Sequence, residues 1–83
     1  MGSTSPDFAS TRSVKFDTTA MLLARRRAGL TQAGVARKLD LTVRAVQRWE
    51  NGTGVPSGKN LLRLAELLEI PTNELYVMER VPA

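Results

Sequence analysis

The sequence contains no cysteine and no histidine. Without these two side chains the chain has no disulfide, no thiolate or imidazole ligand for a metal, and no cysteine or histidine for catalysis. It also lacks an apolar run of the ~20 residues that a membrane span requires, and its first residues lack the apolar segment of a secretory signal. We therefore expect a soluble cytoplasmic protein that has no cofactor, no metal and no catalytic site.

The 83 residues suffice for one small domain, and their charge is unevenly distributed. Between positions 18 and 63, nine lysine and arginine residues stand against Asp40 and Glu50, a net charge of nine minus two, or +7. From position 64 onward, four glutamates stand against Arg80, so the C-terminal segment is acidic. A basic block suits a polyanion such as nucleic acid, although scattered lysine and arginine more often form a solvated surface.

Composition divides the chain into three parts. Residues 1–16 are rich in serine and threonine and show no helical periodicity, so we predict a flexible, disordered N-terminal arm or a leftover of cloning. Residues 17–78 have the apolar spacing of helices and form the predicted domain. Residues 79–83 are predicted to be a C-terminal tail.

Cap residues and glycines delimit the predicted helices. A serine, threonine or aspartate accepts a hydrogen bond from a free N–H group of the first turn, and a glycine adopts the left-handed conformation at a helix end. The sequence thus predicts an all-α chain of five helices, from Asp17 or Thr18 to about Ala28, Thr31 to Leu39, Val43 to Asn51, Ser57 to about Glu69, and Pro71 to about Leu75.

The third predicted helix has two unlike faces. Val46 and Trp49 lie three residues apart on one side and are expected to enter the core. The other side carries Val43, Arg44, Gln47, Arg48 and Asn51. The link to the second helix has three residues (40–42), which is typical of a helix-turn-helix. Helix pairs with short links also serve as packing units, so spacing alone leaves both interpretations open.

Particular residues make the pattern more specific. They are Arg25, the string Gly29-Leu30-Thr31-Gln32, Ala36, Val46, the string Trp49-Glu50-Asn51-Gly52, Pro56-Ser57, and Leu64-Ala65 leading to Leu75. With these residues the stretch from 22 to 75 resembles the phage repressor and Cro family of helix-turn-helix regulators, also called the xenobiotic-response-element family. The resemblance implies a compact five-helix domain like that of the lambda repressor, whose third helix enters the major groove of double-stranded DNA.

The resemblance implies an ion pair and a base-reading face. Arg25 is expected to pair with Glu50 and to fix the third helix, whereas the alternative is two independent surface charges. The residues expected to read bases are Val43, Arg44, Gln47 and Arg48. Arginine matches guanine, glutamine matches adenine, and valine packs on a thymine methyl. The alternative for either arginine is a contact with phosphate alone.

Phosphate contacts are expected around the ends of three helices. The candidates are Gln32, Thr42, Asn51, the Gly52 amide, Thr53 and Lys59. Gln32 stands at the start of the second helix, where free N–H groups and the positive end of the dipole favour an anion. Its alternative is a solvated first-turn residue. Base-edge and phosphate contacts together predict binding of an operator in double-stranded DNA.

Two positions depart from the family pattern. Asp40 stands in the turn where the family usually has glycine, and a left-handed backbone there costs a non-glycine residue some free energy. Gly34 lies inside the second helix and weakens it by up to about 1 kcal/mol relative to alanine. We therefore expect a less stable version of the fold.

A homodimer on a pseudo-palindromic operator is expected, because one small domain touches few base pairs and two half-sites lie ~34 Å apart. Residues 76–78 are read as a frayed turn, a short strand or part of a dimer contact. The candidate dimer contacts are Ile70, Leu75, Tyr76, Val77 and Met78. The alternative is that these residues only close the core of the protomer.

Three functions remain open at this stage. The first is a transcriptional regulator, most simply a repressor associated with the nucleoid. The second is a DNA-binding antitoxin with a protein partner, or the N-terminal domain of a longer regulator. The third is a protein-interaction module without DNA binding, against which the basic face of the third helix argues. No paired carboxylates, activated nucleophile or phosphate-binding loop supports an enzyme.

Overall fold

The computed structural model describes the backbone of residues 12–80 and the side chains of residues 14–78. This part of the chain forms helices and a small sheet. In chain order the elements are β1 (Arg12–Phe16), α1 (Thr18–Arg27), α2 (Gln32–Leu39), α3 (Val43–Asn51), α4 (Gly58–Leu68), a 3-10 helix (Thr72–Leu75) and β2 (Tyr76–Arg80). None of the helices described is long and apolar enough to cross a bilayer.

The α-helices begin at the cap residues that the sequence predicts. The side chains of Asp17, Thr31, Thr42 and Ser57 each accept a hydrogen bond from the backbone N–H three residues later. Each bond satisfies one of the donors that a first turn leaves free. The predicted bounds of α1 to α4 are confirmed to within one residue, because they follow from local chemistry.

Left-handed residues end three of these helices. Gly52 ends α3 with φ 83°, a conformation that costs glycine little. Asp40 ends α2 with φ 59°, as the departure from the family pattern predicts, and Glu69 ends α4 with φ 58°. A left-handed conformation costs a residue with a Cβ roughly 1 kcal/mol. Two of the helix ends are therefore less stable than glycine would make them.

The core lies where the helices meet. Met21 of α1, Val35 of α2, Val46 of α3 and Leu64 of α4 are fully buried, so every helix contributes to it. The buried residues are Phe16, Met21, Ala24, Val35, Ala36, Leu39, Val46, Trp49, Leu64, Ala65, Leu68 and Leu75. Burial of the apolar side of α3 leaves its opposite side in solvent.

The two strands correct the all-α prediction. β1 pairs antiparallel with β2, with Phe16 opposite Tyr76. Phe16 is 5% exposed, its ring meets that of Tyr76 edge-on with centroids 5.8 Å apart, and the amide of Asp17 donates to the carbonyl of Leu75 at 2.8 Å. Residues 12–16 therefore do not belong to the predicted flexible arm; residues 1–11 lie outside the described part. Of the predicted tail 79–83, positions 79 and 80 belong to β2, and 81–83 lie outside the described part.

The predicted fifth helix is a single 3-10 turn, Thr72–Leu75, with Pro71 before it. This turn packs against α1 and α4. Leu75 is fully buried there, so it closes the core of the protomer, which is the alternative that the sequence leaves open for it. The prediction of five α-helices is therefore wrong: the described residues form four α-helices and one 3-10 turn. One turn is enough to bring Leu75 into the core.

The segment 76–78 is a strand, one of the three readings that the sequence leaves open. Tyr76 and Ile70 are partly buried against the core, so they help to close the protomer. Val77 and Met78 are 41% and 52% exposed. Of the candidate dimer contacts, these last two are the exposed ones.

A polar contact ties α3 to α1 at the margin of the core. Nε and Nη2 of Arg25 both donate to the carboxylate of Glu50, with 3.1 Å between Nη2 and Oε1. The side chains of Arg25 and Glu50 are 11% and 7% exposed. Nη1 of Arg25 also donates to the carbonyl of Leu30 at 2.9 Å. One guanidinium therefore holds the end of α3 and the loop between α1 and α2.

Replacement of Phe16 by alanine should lower the free energy of unfolding by about 3–5 kcal/mol, because a buried aromatic ring is lost from the core. Val14→Ala, in the same strand at a position 63% exposed, is the matched control and should change it by less than about 0.5 kcal/mol. Urea denaturation followed by circular dichroism measures both. Equal effects of the two substitutions would contradict the burial of Phe16.

Glu50→Gln should lower the free energy of unfolding by about 3 kcal/mol, because the nearly buried guanidinium of Arg25 is left without a counter-charge. The exposed residue Glu66 supplies the control: Glu66→Gln should cost less than about 0.5 kcal/mol. The double variant Arg25→Met/Glu50→Leu should recover most of the loss in urea denaturation. A Glu50→Gln variant as stable as Glu66→Gln would show that the ion pair does not fasten α3.

Candidate nucleic-acid interface

The outer side of α3 forms a continuous exposed face. Val43, Arg44, Gln47, Arg48 and Asn51 are all exposed, and they follow one another around the side of the helix away from the core. The opposite side is held by Val46 and Trp49, which are 0% and 5% exposed. The structure thus brings the four sequence-predicted base-reading residues together on one rigid helix.

Two uncompensated positive charges dominate this face. Arg44 and Arg48 are one helical turn apart, and neither makes an ion pair within the part of the chain that the structure describes. Like charges at this spacing disfavour an isolated helix. The packing of α3 on the core offsets that repulsion, so both guanidinium groups remain free to bind an anion or an acceptor edge.

A chain of side-chain hydrogen bonds links this face to the ion pair. Nε2 of Gln32 donates to Oε1 of Glu50 at 3.0 Å, and Nε2 of Gln47 lies 3.5 Å from Oε1 of Gln32. The contact between the two glutamines is long and therefore weak. Gln32 thus positions Glu50, a role that sequence reasoning missed. Its second Nε2 hydrogen remains available for the predicted phosphate contact.

The start of α2 lies beside the exposed face, because Gln32 and Gln47 are in contact. Thr31 caps this helix through a 2.9 Å bond from the amide of Gly34. Backbone N–H groups of the first turn and the positive end of the helix dipole therefore meet solvent next to α3. Such an end binds phosphate readily.

The loop after α3 engages some of the predicted phosphate ligands internally. Oδ1 of Asn51 accepts from the amide of Thr53 at 3.0 Å and from its hydroxyl at 2.6 Å. The amide of Gly52 donates to the carbonyl of Arg48. Thr53 and Gly52 therefore have their donors occupied, whereas the Nδ2 group of Asn51 makes no bond within the described residues. The sequence did not indicate which of these donors are used within the loop and which are left for phosphate.

The other two predicted phosphate ligands are exposed at helix starts. Thr42 accepts from the amide of Ala45 at 3.2 Å, which leaves its hydroxyl hydrogen free to donate elsewhere. Lys59 is exposed in the first turn of α4 and makes no ion pair within the described residues. Both keep a donor that can meet a phosphate oxygen.

A comparison with protein families agrees with this geometry. A family model described as helix-turn-helix matches residues 22–75, which span α1 to the 3-10 helix. The chain is 33% identical over 51 residues to the cryptic phage CTXphi transcriptional repressor RstR of Vibrio cholerae serotype O1. That match covers 61% of this chain and 46% of the repressor, so the chain spans about half the length of this relative. No solved structure matches this chain.

The family match covers both helices of the helix-turn-helix, the ion pair between Arg25 and Glu50, and the exposed face of α3. Its span begins inside α1 and ends with the buried Leu75, so it includes most of the core. Neither comparison matches this chain to a family of enzymes. The chain belongs to the phage repressor and Cro family, also called the xenobiotic-response-element family, of DNA-binding helix-turn-helix regulators.

Proposed function

We propose that this domain is a sequence-specific transcriptional repressor that inserts α3 into the major groove of double-stranded DNA. The observation that carries the proposal is the exposed face of α3, on which Arg44, Gln47 and Arg48 lie opposite the buried Val46 and Trp49. A helix fits the major groove, where each base pair presents a distinct set of donors and acceptors. A helix that is held on the core and exposes polar side chains is suited to read them.

The side chains of this face favour particular bases. The planar guanidinium groups of Arg44 and Arg48 match O6 and N7 of guanine, and the amide of Gln47 matches adenine. Val43 is 38% exposed at the start of α3, where it would pack on a thymine methyl. We therefore expect half-sites that contain guanine, with the two arginines responsible for most of the discrimination.

Phosphate contacts orient the helix in the groove. The N-terminus of α2 with Gln32, the hydroxyl of Thr42, the Nδ2 group of Asn51 and the ammonium of Lys59 each keep a donor free for this purpose. Thr53 is assigned a positioning role, since its two donors hold Asn51. Such contacts fix register on the duplex without reading its sequence.

Repression and dimer formation complete the proposal. The aligned relative is named a transcriptional repressor, which supports repression over activation. One domain reads few base pairs, so two copies would bind a pseudo-palindromic operator with half-sites about 34 Å apart. Binding of genomic DNA would place the protein at the nucleoid.

Selection of bound sequences from a random DNA pool tests the base-reading face. Arg44→Ala and Arg48→Ala should each relax the preference at defined positions and weaken the selected site by about 1–3 kcal/mol. Arg26→Ala removes the same charge from an exposed position of α1 and is the matched control. It should leave the sequence preference unchanged. Gel-shift titration of the selected site measures the affinities.

Three results would contradict the proposal. Uniform weakening of all sequences in both α3 variants would reduce Arg44 and Arg48 to phosphate ligands. Unchanged DNA binding in the double variant would exclude α3 as the reading helix. A wild-type domain that selects no sequence at all, at low salt as well as at physiological salt, would instead favour a protein-interaction module.

A further inference from the structure

The ribbon formed by β1 and β2 extends beyond the core, so the face that packs on the core is exposed further along the ribbon. Phe16 lies opposite Tyr76, and two residues further along Val14 lies opposite Met78. Both pairs are on the same face, because side chains alternate along a strand. The first pair is packed against the core, whereas Val14 is 63% and Met78 is 52% exposed. An apolar cross-strand pair is therefore left in water directly beside a buried one.

The strands also keep free edges. Within residues 12–80 the sheet has two strands, so each strand has a hydrogen-bonded neighbour on one side only. A free edge presents N–H and C=O groups with which another strand can pair. An isolated two-stranded ribbon is only marginally stable in water. The ribbon thus offers both main-chain hydrogen bonds and an exposed apolar pair of side chains.

We propose that a second copy of this chain covers the Val14–Met78 pair of the ribbon when two copies occupy adjacent half-sites. This inference rests on the proposed function, because a DNA duplex with two half-sites is what brings the copies together. The contact joins like surfaces about a twofold axis, since a strand edge is complementary to the same edge of a rotated copy. The two ribbons then form one continuous sheet or pack face to face.

The size of the ribbon identifies the kind of dimer. β1 and β2 have five residues each, so the ribbon of each copy contributes ten residues. Stable interfaces use roughly 20–30 residues a side. A contact through the ribbon alone is therefore too small to hold two copies together in free solution. On DNA, a copy bound at the neighbouring half-site has an effective concentration in the millimolar range. A small contact is then enough for cooperative binding.

The base of the ribbon adjoins the DNA-facing loop. A Cβ placed on Gly52, which follows α3, would lie 3.9 Å from Cγ2 of Thr18, the first residue of α1. β1 ends two residues before Thr18. The start of α1, which directly follows the ribbon, therefore lies beside the loop that follows Asn51.

Cooperative binding tests the inference, with a duplex that carries one selected half-site compared with a duplex that carries two. The wild-type domain should bind the second half-site at least about tenfold more tightly than the first. Met78→Asp should remove this cooperativity and leave binding to the single half-site unchanged. Leu23→Asp is the matched control, because Leu23 is 51% exposed but belongs to α1 and not to the ribbon. It should leave the cooperativity intact.

Single thiols supply a second measurement that does not depend on the aspartate variant folding. Because the chain has no cysteine, Met78→Cys and Leu23→Cys each introduce the only thiol. On the duplex with two half-sites, oxidation should link two copies through position 78 and not through position 23. Equal cooperativity in wild type and Met78→Asp, or cross-linking at position 23 alone, overturns the ribbon contact. A wild-type domain that binds one half-site but shows no cooperativity also overturns the ribbon contact, and it leaves the proposed function unaffected. A wild-type domain that binds no half-site contradicts both the ribbon contact and the proposed function.

Discussion

The contact of Arg25 with Glu50 is the constraint on which the geometry of α3 depends. Nine residues are too few for a helix that is stable in water by itself, and the two exposed arginines repel each other. Val46 and Trp49 attach α3 to the core, but apolar packing alone is not directional. The bidentate bond from Arg25 and the bond from Gln32 to Glu50 specify the rotation of α3.

The helical part of the fold could be predicted from the sequence because its signals are local. A threonine or serine before each of three helices bonds to an amide three residues away, so the chemistry that sets the start lies within one turn. The exposed face of α3 was predictable for the same reason, since its periodicity is contained in nine residues. Contacts between elements, such as the bond of Gln32 to Glu50, have no such local signal.

β1 was not predicted, and a strand was one of three interpretations of residues 76–78, because the two strands of the ribbon lie at opposite ends of the described chain. Phe16 pairs with Tyr76, sixty positions later, and neither strand has a hairpin turn beside it. A weak signal was present: apolar Val14 and Phe16 alternate with polar Ser13 and Lys15, which is the period of a strand. This alternation covers only five residues beside a segment rich in serine and threonine, and the composition of that segment favoured a flexible arm.

The central claim is that α3 is held in its DNA-binding orientation before DNA arrives. Residual dipolar couplings of backbone amides, measured by NMR for the free domain and for its complex with a selected half-site, test this claim most directly. The account predicts one orientation of α3 relative to α1 in both states, with shift changes concentrated on the exposed face of α3 and the start of α2. A free domain in which α3 tumbles independently of α1, or turns when DNA binds, would contradict it.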